Sequence, residues 1–335
     1  MMVGHAALAF ALGAGVAVAL GVEREQALLF AVTAGAFGAV PDVDIGYAVV
    51  GLFADGGFDP GSLPDVFWET GNLVHRGLTH SFVVGSLSGL LFGLVTHRRL
   101  RPLAVAGLAG LVLVATALLG GLEGGVIASF LLAGVGVAVG GERLGLTPQG
   151  VTAAALLGLV SHPFGDVFTG TSPTLLYPFG SDLLPTRLLL SGDPTLHLLG
   201  TFGLELATVW LAVLAYARLR DRSLRQQLHS RAALGTGYAG AVVLLPLPTL
   251  AASYQFVFGA LALGATVALA GLPAVDLAST PAPEAPPLAG PATGPPPLLA
   301  VFRAGLVVSW NHAPNAASAD PGFFNVVGPL YGRGA

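Results

Sequence analysis

At four places an otherwise apolar chain carries histidine and aspartate at spacings suited to metal ligation. They are His5, PDVD at 41–44, HRGLTHS at 75–81 and SHPFGDVFT at 161–169. Imidazole and carboxylate together suit zinc or another divalent first-row metal. The candidate ligands are His5, Asp42, Asp44, His75, His80, His162 and Asp166, enough for one or two ions. An ion so held brings the pKa of a water to about 7 and polarises an ester or phosphoryl oxygen. Asp42 and Asp44 stand open between ligand, bridge and general base toward that water. Arg76 stays protonated and cannot ligate; its fork suits an anionic substrate oxygen. Cysteine is absent, which excludes disulfides, thiolate nucleophiles and cysteine metal sites.

Spacing within each group predicts its local geometry. Pro41 tends to end a helix and favours extended chain before it, which puts Asp42 and Asp44 on one side. His162 and Asp166 are four apart, neighbours on one helical face, and Pro163 predicts a kink between them. His75 and His80 are five apart and fit a turn. Ser81 is placed to cap the helix that follows.

These residues must be positioned by the apolar segments around them. Of the 335 residues 54% are hydrophobic and only 10% charged, where a soluble domain carries about a quarter charged. Net charge is −4, so no basic surface for nucleic acid exists. Apolar runs fall near 6–22, 26–40, 81–97, 102–120, 125–140, 148–168, 196–217, 232–252 and 254–272. The fold class is all-α: a polytopic membrane bundle of about eight or nine helices, because a helix satisfies its own backbone in lipid. The first run lacks a basic flank and is read as a retained helix, not a signal peptide. All fourteen cations are arginines, and ten fall in alternate loops, at 24, 98–101, 143 and 218–231, against Arg76 and Arg187 in the opposite loops. That bias predicts a multi-pass protein of the cell membrane with the N-terminus and all four polar groups at the extracytoplasmic face.

Residues 1–272 form the predicted transmembrane domain. Residues 273–335 hold twelve of the 24 prolines, in runs such as PAPEAPP, and form a predicted disordered tail. Asp55, Asp59, Asp65 and Glu69 read as a solvated acidic loop. Glu205 lies inside the 196–217 run with its role open.

His5, PDVD, HRGLTHS, HPFGD with Thr169, and LLYPF at 175–179 resemble the membrane-bound metal-dependent hydrolase family related to the bacterial inner-membrane protein YdjM. The resemblance covers roughly residues 1–180 and implies a metal-dependent hydrolase. The order His, Asp, His, HxxxD is more loosely similar to that of zinc-dependent phospholipases C and single-strand nucleases, which implies phosphoester hydrolysis with one or two metals. Those enzymes have further downstream His and Glu ligands, for which His197 and Glu205 stand here at unsuitable spacing.

The expected protein is thus a hydrolase whose partners are the lipid bilayer and a small-molecule or lipid substrate, with a divalent ion, zinc by preference. A metal-ion or proton transporter using the same residues is the alternative, although transport sites sit near the midplane at repeats and no repeat stands out. A closed structural metal site is the third reading.

Overall fold

The computed structural model describes residues 2–49, 70–71, 74–180, 183 and 186–223. The predicted helices 232–252 and 254–272, the acidic loop and the tail lie outside the described residues. Among those described, every regular element is helical and no strand occurs.

α1 (Met2–Ala19) and α2 (Arg24–Ala39) form an antiparallel hairpin. Gly21, at φ +68°, turns the chain, and the Glu23 carboxylate accepts the Glu25 and Gln26 N–H groups to start α2. After α2 the chain tightens into a 3-10 segment, Pro41–Tyr47. A second, Leu78–His80, precedes α3 (Phe82–Thr96). Ser81 caps α3 as its sequence predicts, accepting from the N–H groups of Val83 and Val84. α4 (Arg101–Leu119) and α5 (Gly121–Arg143) are joined by Gly120 alone, whose φ of +105° favours glycine. α6 (Pro148–Ser161) starts on a Thr147 cap. α8 (Pro194–Leu219) starts on an Asp193 cap and packs along α1.

The run 148–168 is not one kinked helix. It ends at Ser161, turns at His162, and a four-residue helix α7, Pro163–Asp166, follows. Pro163 has no N–H to give α6, so the ladder stops there.

Arg24–Tyr47, Arg101–Leu119 and Gly121–Arg143 are long and apolar enough to cross a membrane. Only 17% of the α4 window is buried within the protein, and Leu103, Leu113 and Leu118 point outward from it. An apolar face of that extent fits contact with lipid.

In the core, Phe37 of α2, Phe92 of α3 and Phe130 of α5 stack in sequence, with ring centroids 5.6 and 6.2 Å apart. Small residues bring the backbones together. A Cβ on Gly158 of α6 would lie 2.5 Å from the Ala34 carbonyl oxygen and 2.6 Å from the Phe37 Cβ. α2 and α6 therefore touch main chain to main chain, just where each helix ends in its own polar group.

Candidate metal centre

All four polar groups meet at one end of the bundle. His5 comes from the first turns of α1, Asp42 and Asp44 from the 3-10 segment after α2, His75, Arg76 and His80 from the chain entering α3, and His162 and Asp166 from the break after α6. His5, Asp42, Asp44, His80, His162 and Asp166 are all buried.

The centre of the group is formed by two imidazoles and two carboxylates. His80 Nε2 lies 3.1 Å from Asp166 Oδ2 and 3.8 Å from Asp42 Oδ1. His162 Nε2 lies 3.5 and 3.6 Å from the same two residues' oxygens. His80 Nε2, His162 Nε2, Asp42 Oδ2 and Asp166 Oδ2 are buried with no hydrogen-bond partner. His5 completes the wall, its Nε2 3.4 Å from Asp166 Oδ1 and its ring 4.0 Å from that of His162.

Hydrogen bonds behind the rings fix which nitrogen faces inward. A carbonyl oxygen only accepts, so the 2.7 Å contact of His162 Nδ1 with Gly38 O places the proton on Nδ1. Its Nε2 lone pair then faces the centre. The Thr79 hydroxyl donates to Asp44 Oδ2 at 2.7 Å and accepts from His80 Nδ1 at 2.9 Å. His80 Nε2 is thereby also an acceptor. This backing of each ring by a carbonyl or carboxylate is how ligating histidines are oriented.

Asp42 and Asp44 stand in a 3-10 turn rather than the extended chain their spacing implies, and they border His80 at opposite ring nitrogens, Asp42 at Nε2 and Asp44 at Nδ1. In a 3-10 turn with three residues per turn, positions i and i+2 diverge. Asp42 faces His80 and His162, whereas Asp44 accepts from His75 Nδ1 at 2.9 Å and from Thr79.

Arg76, expected as an anion clamp, makes its contacts within the chain. It sits at φ +68° and turns its guanidinium into the protein. Nη1 donates to the carbonyls of Asp166 at 3.2 Å and Thr171 at 2.9 Å, and to that of Thr169. Nη2 donates to Thr169 Oγ1 at 2.7 Å and pairs with Asp166 Oδ1 at 3.1 Å. The side chain is only 10% exposed. Its Nη protons are spent on holding Asp166 and the loop that follows.

Burial disfavours the His80 cation, but the adjoining Asp166, with Asp44 and Asp42, outweighs it and holds His80 above the ordinary histidine value. Burial likewise disfavours the Asp166 carboxylate, but the neighbouring His5 and His80 hold it well below the usual range. A cation at this centre competes with the His80 proton, so its occupancy falls as pH drops through the His80 value.

Three overlapping sets can hold a metal ion: His5, His162 and Asp166; Asp42, His80 and His162; Asp44, His75 and His80. Within each, one ligand atom per residue lies within 4.8 Å of the others. In the third set Asp44 lies on the Nδ1 side of His80, and that nitrogen already donates to Thr79. The first two share His162 and consist of residues that each keep a buried atom without a hydrogen bond, so the donor set fits a divalent cation there.

Three further contributors lie outside the four polar groups. Gly38 serves through its carbonyl, which any residue possesses. Glu205 accepts the Gly4 N–H at 3.2 Å, capping α1 beside His5. His197 is buried but is no ligand: its Nδ1 accepts from Leu190 N–H at 3.2 Å and its Nε2 donates to Phe168 O at 2.8 Å. It ties the start of α8 to the loop after Asp166.

Gly165 leaves space for the His5 ring, because a Cβ there would lie 2.4 Å from Cε1 and 2.6 Å from Nδ1. Wedged against His162, the ring can only swing away from Asp166. Gly165→Ala is therefore expected to weaken metal binding roughly 10–100-fold, as loss of an outer partner does, with helical content unchanged; metal titration with circular dichroism checks both.

The fold and site define a helical membrane protein with a buried histidine–aspartate centre able to hold a metal. The family described as YdjM inner membrane protein matches residues 1–243, and the chain belongs to it. The match runs past the 1–180 stretch that carries the motifs, through all of α8. No curated protein and no solved structure matches the chain.

Proposed function

We propose that this protein is a membrane-bound, metal-dependent hydrolase acting on a phosphoester or lipid-linked substrate. The observation that carries the reading is the convergence of His80 Nε2, His162 Nε2 and Asp166 Oδ2, buried and without a hydrogen bond, with Asp42 Oδ1 beside both imidazoles. Charge supports it. The cluster holds three carboxylates, Asp42, Asp44 and Asp166, and one guanidinium, Arg76, paired with Asp166; with neutral imidazoles two negative charges remain, which one divalent cation balances.

His80, His162, Asp42 and Asp166 would hold the ion, zinc by donor chemistry, with His5 steadying Asp166. Such an ion supplies Lewis acidity and a water nucleophilic at neutral pH. The chain's own groups handle protons and orientation. Asp44 fixes the His75 ring through Nδ1, leaving Nε2 to carry a proton to or from a leaving group. Thr79 and Gly38 hold His80 and His162 in register. Arg76 holds Asp166 so that Oδ1 faces it and Oδ2 faces the centre.

Arginine distribution favours placing this centre toward the extracytoplasmic face. Clustering at helix ends, rather than at a midplane break, favours hydrolysis over transport.

The test is metal removal. The purified protein is assayed for bound metal, then screened on phosphodiesters and phospholipids before and after chelation. Turnover is expected to vanish with the metal and return on adding zinc. Metal uptake into sealed liposomes without turnover of any ester would replace hydrolysis by transport.

A further inference from the structure

Two openings adjoin the centre, and they differ in character. The first is a groove of about 380 Å³ lined by Ala36, Ala39, Val40, Val43 and Ala133, with Asp42 as its one polar residue. The second, about 200 Å³, is lined by polar groups that include His75, Arg76, Glu123, Thr171, Ser172 and Thr174. The centre spans the gap between them. Asp42 Oδ1 lies 3.8 Å from His80, His80 lies 3.6 Å from Asp44, and Asp44 lies 2.9 Å from His75.

The setting of the groove decides what fills it. Its walls are α2 with its 3-10 extension and α5, both long and apolar enough to cross a membrane. A groove open between two such helices faces hydrocarbon, not water. α5 also supplies Glu123 to the polar opening, in its first turn. Glu123 and Ala133 are ten residues apart, about 15 Å along the helix. The polar opening thus lies at the end of α5 and the apolar groove about three turns inward.

Resting on the hydrolase reading above, we infer that the substrate is a membrane amphiphile that enters sideways from the bilayer. One hydrocarbon chain lies in the groove between α2 and α5. Its polar head reaches the His75–Glu123 opening, and the bond to be cleaved lies across Asp42 and His80. The three alanines set the width, since each offers only a methyl group to the groove. A polar substrate arriving from water needs the second opening alone and has no use for the first.

Ala36→Leu combined with Ala133→Leu fills the groove and replaces no ligand. The first readout needs no turnover. Wild type and variant, matched for bound metal, are reconstituted with a phospholipid carrying a diazirine in its acyl chain and irradiated. Adducts in residues 36–43 and at 133 are counted against those at outward-facing Leu113, 69% exposed. Their ratio is expected to fall at least about tenfold in the variant, because the added methylenes occupy the chain's space. The second readout compares a long-chain phospholipid with a water-soluble phosphodiester. The variant is expected to lose about tenfold on the lipid and to stay within about twofold on the soluble ester, since only the former uses the groove. An unchanged adduct ratio, or equal loss on both substrates, overturns lateral entry. If metal-loaded wild type cleaves neither, the hydrolase reading fails, and the adduct map alone decides the groove: a variant-sensitive adduct supports chain binding there, and its absence rejects it.

Discussion

His80→Ala is expected to leave the protein without bound metal and several kcal/mol less stable. The imidazole is fully buried and borders all three aspartates: Asp166 at 3.1 Å, Asp44 at 3.6 Å and Asp42 at 3.8 Å. Alanine removes a ligand nitrogen and leaves those carboxylates facing a void. Removing one partner of a buried charge pair costs about 3–5 kcal/mol. Loss of metal affinity should exceed the roughly 10–100-fold that an outer-shell substitution produces. Asp44→Asn is the contrasting variant. It keeps the shape, and its amide oxygen can still accept from Thr79 or His75, so its loss should stay within that outer-shell range. Elemental analysis after purification and metal titration of both variants separate the two roles. Equal losses in the two would mean that Asp44 is itself a ligand.

The sequence carried the centre more fully than the elements that build it. His5, Asp42, His80, His162 and Asp166 stand out because polar residues in an apolar chain are conspicuous, and the alternation of helices brings their ends together. Asp44 stood out equally, but its role depends on backbone twist. A 3-10 turn and an extended strand carry the same PDVD, and only the packing of α2 on α6 selects between them. Gly38 is invisible for a different reason: its part is played by a carbonyl, and its lack of a Cβ matters only because Ala9 and the His5 carbonyl approach it. Glu205, a carboxylate inside an apolar helix, called for a partner, but the partner is a main-chain N–H some 200 residues earlier. Helix lengths were equally hard to read. The 148–168 run is largely apolar up to Val160, and Pro163, weighed against the ligand geometry of His162, marks the break.

Arg76 yields the second large effect, and here two roles predict opposite measurements. A guanidinium that clamps substrate would leave the metal site intact when removed and raise KM. One that holds Asp166 would take the metal site with it. The geometry supports the second role, because both Nη nitrogens are engaged within the chain, at Asp166, Thr169 and Thr171. The backbone agrees. Arg76 occupies the left-handed region at φ +68°, a conformation worth about 1–3 kcal/mol of strain for a non-glycine residue. Only the bonds made by its side chain offset that strain. Gly170, at φ +54°, has no Cβ where one would stand 2.9 Å from Nη1, so both sides of the contact are shaped for it. Arg76→Ala is expected to lose about 3–5 kcal/mol, as for any buried pair deprived of one partner. Metal affinity should fall roughly 10–100-fold as Asp166 loses its outer anchor. Arg76→Lys keeps the charge but cannot serve two side chains and the loop carbonyls from one ammonium, so it should recover only part of either quantity. Unfolding in detergent and metal titration measure both. A variant that keeps its metal and its stability, and binds substrate weakly, would return Arg76 to the substrate.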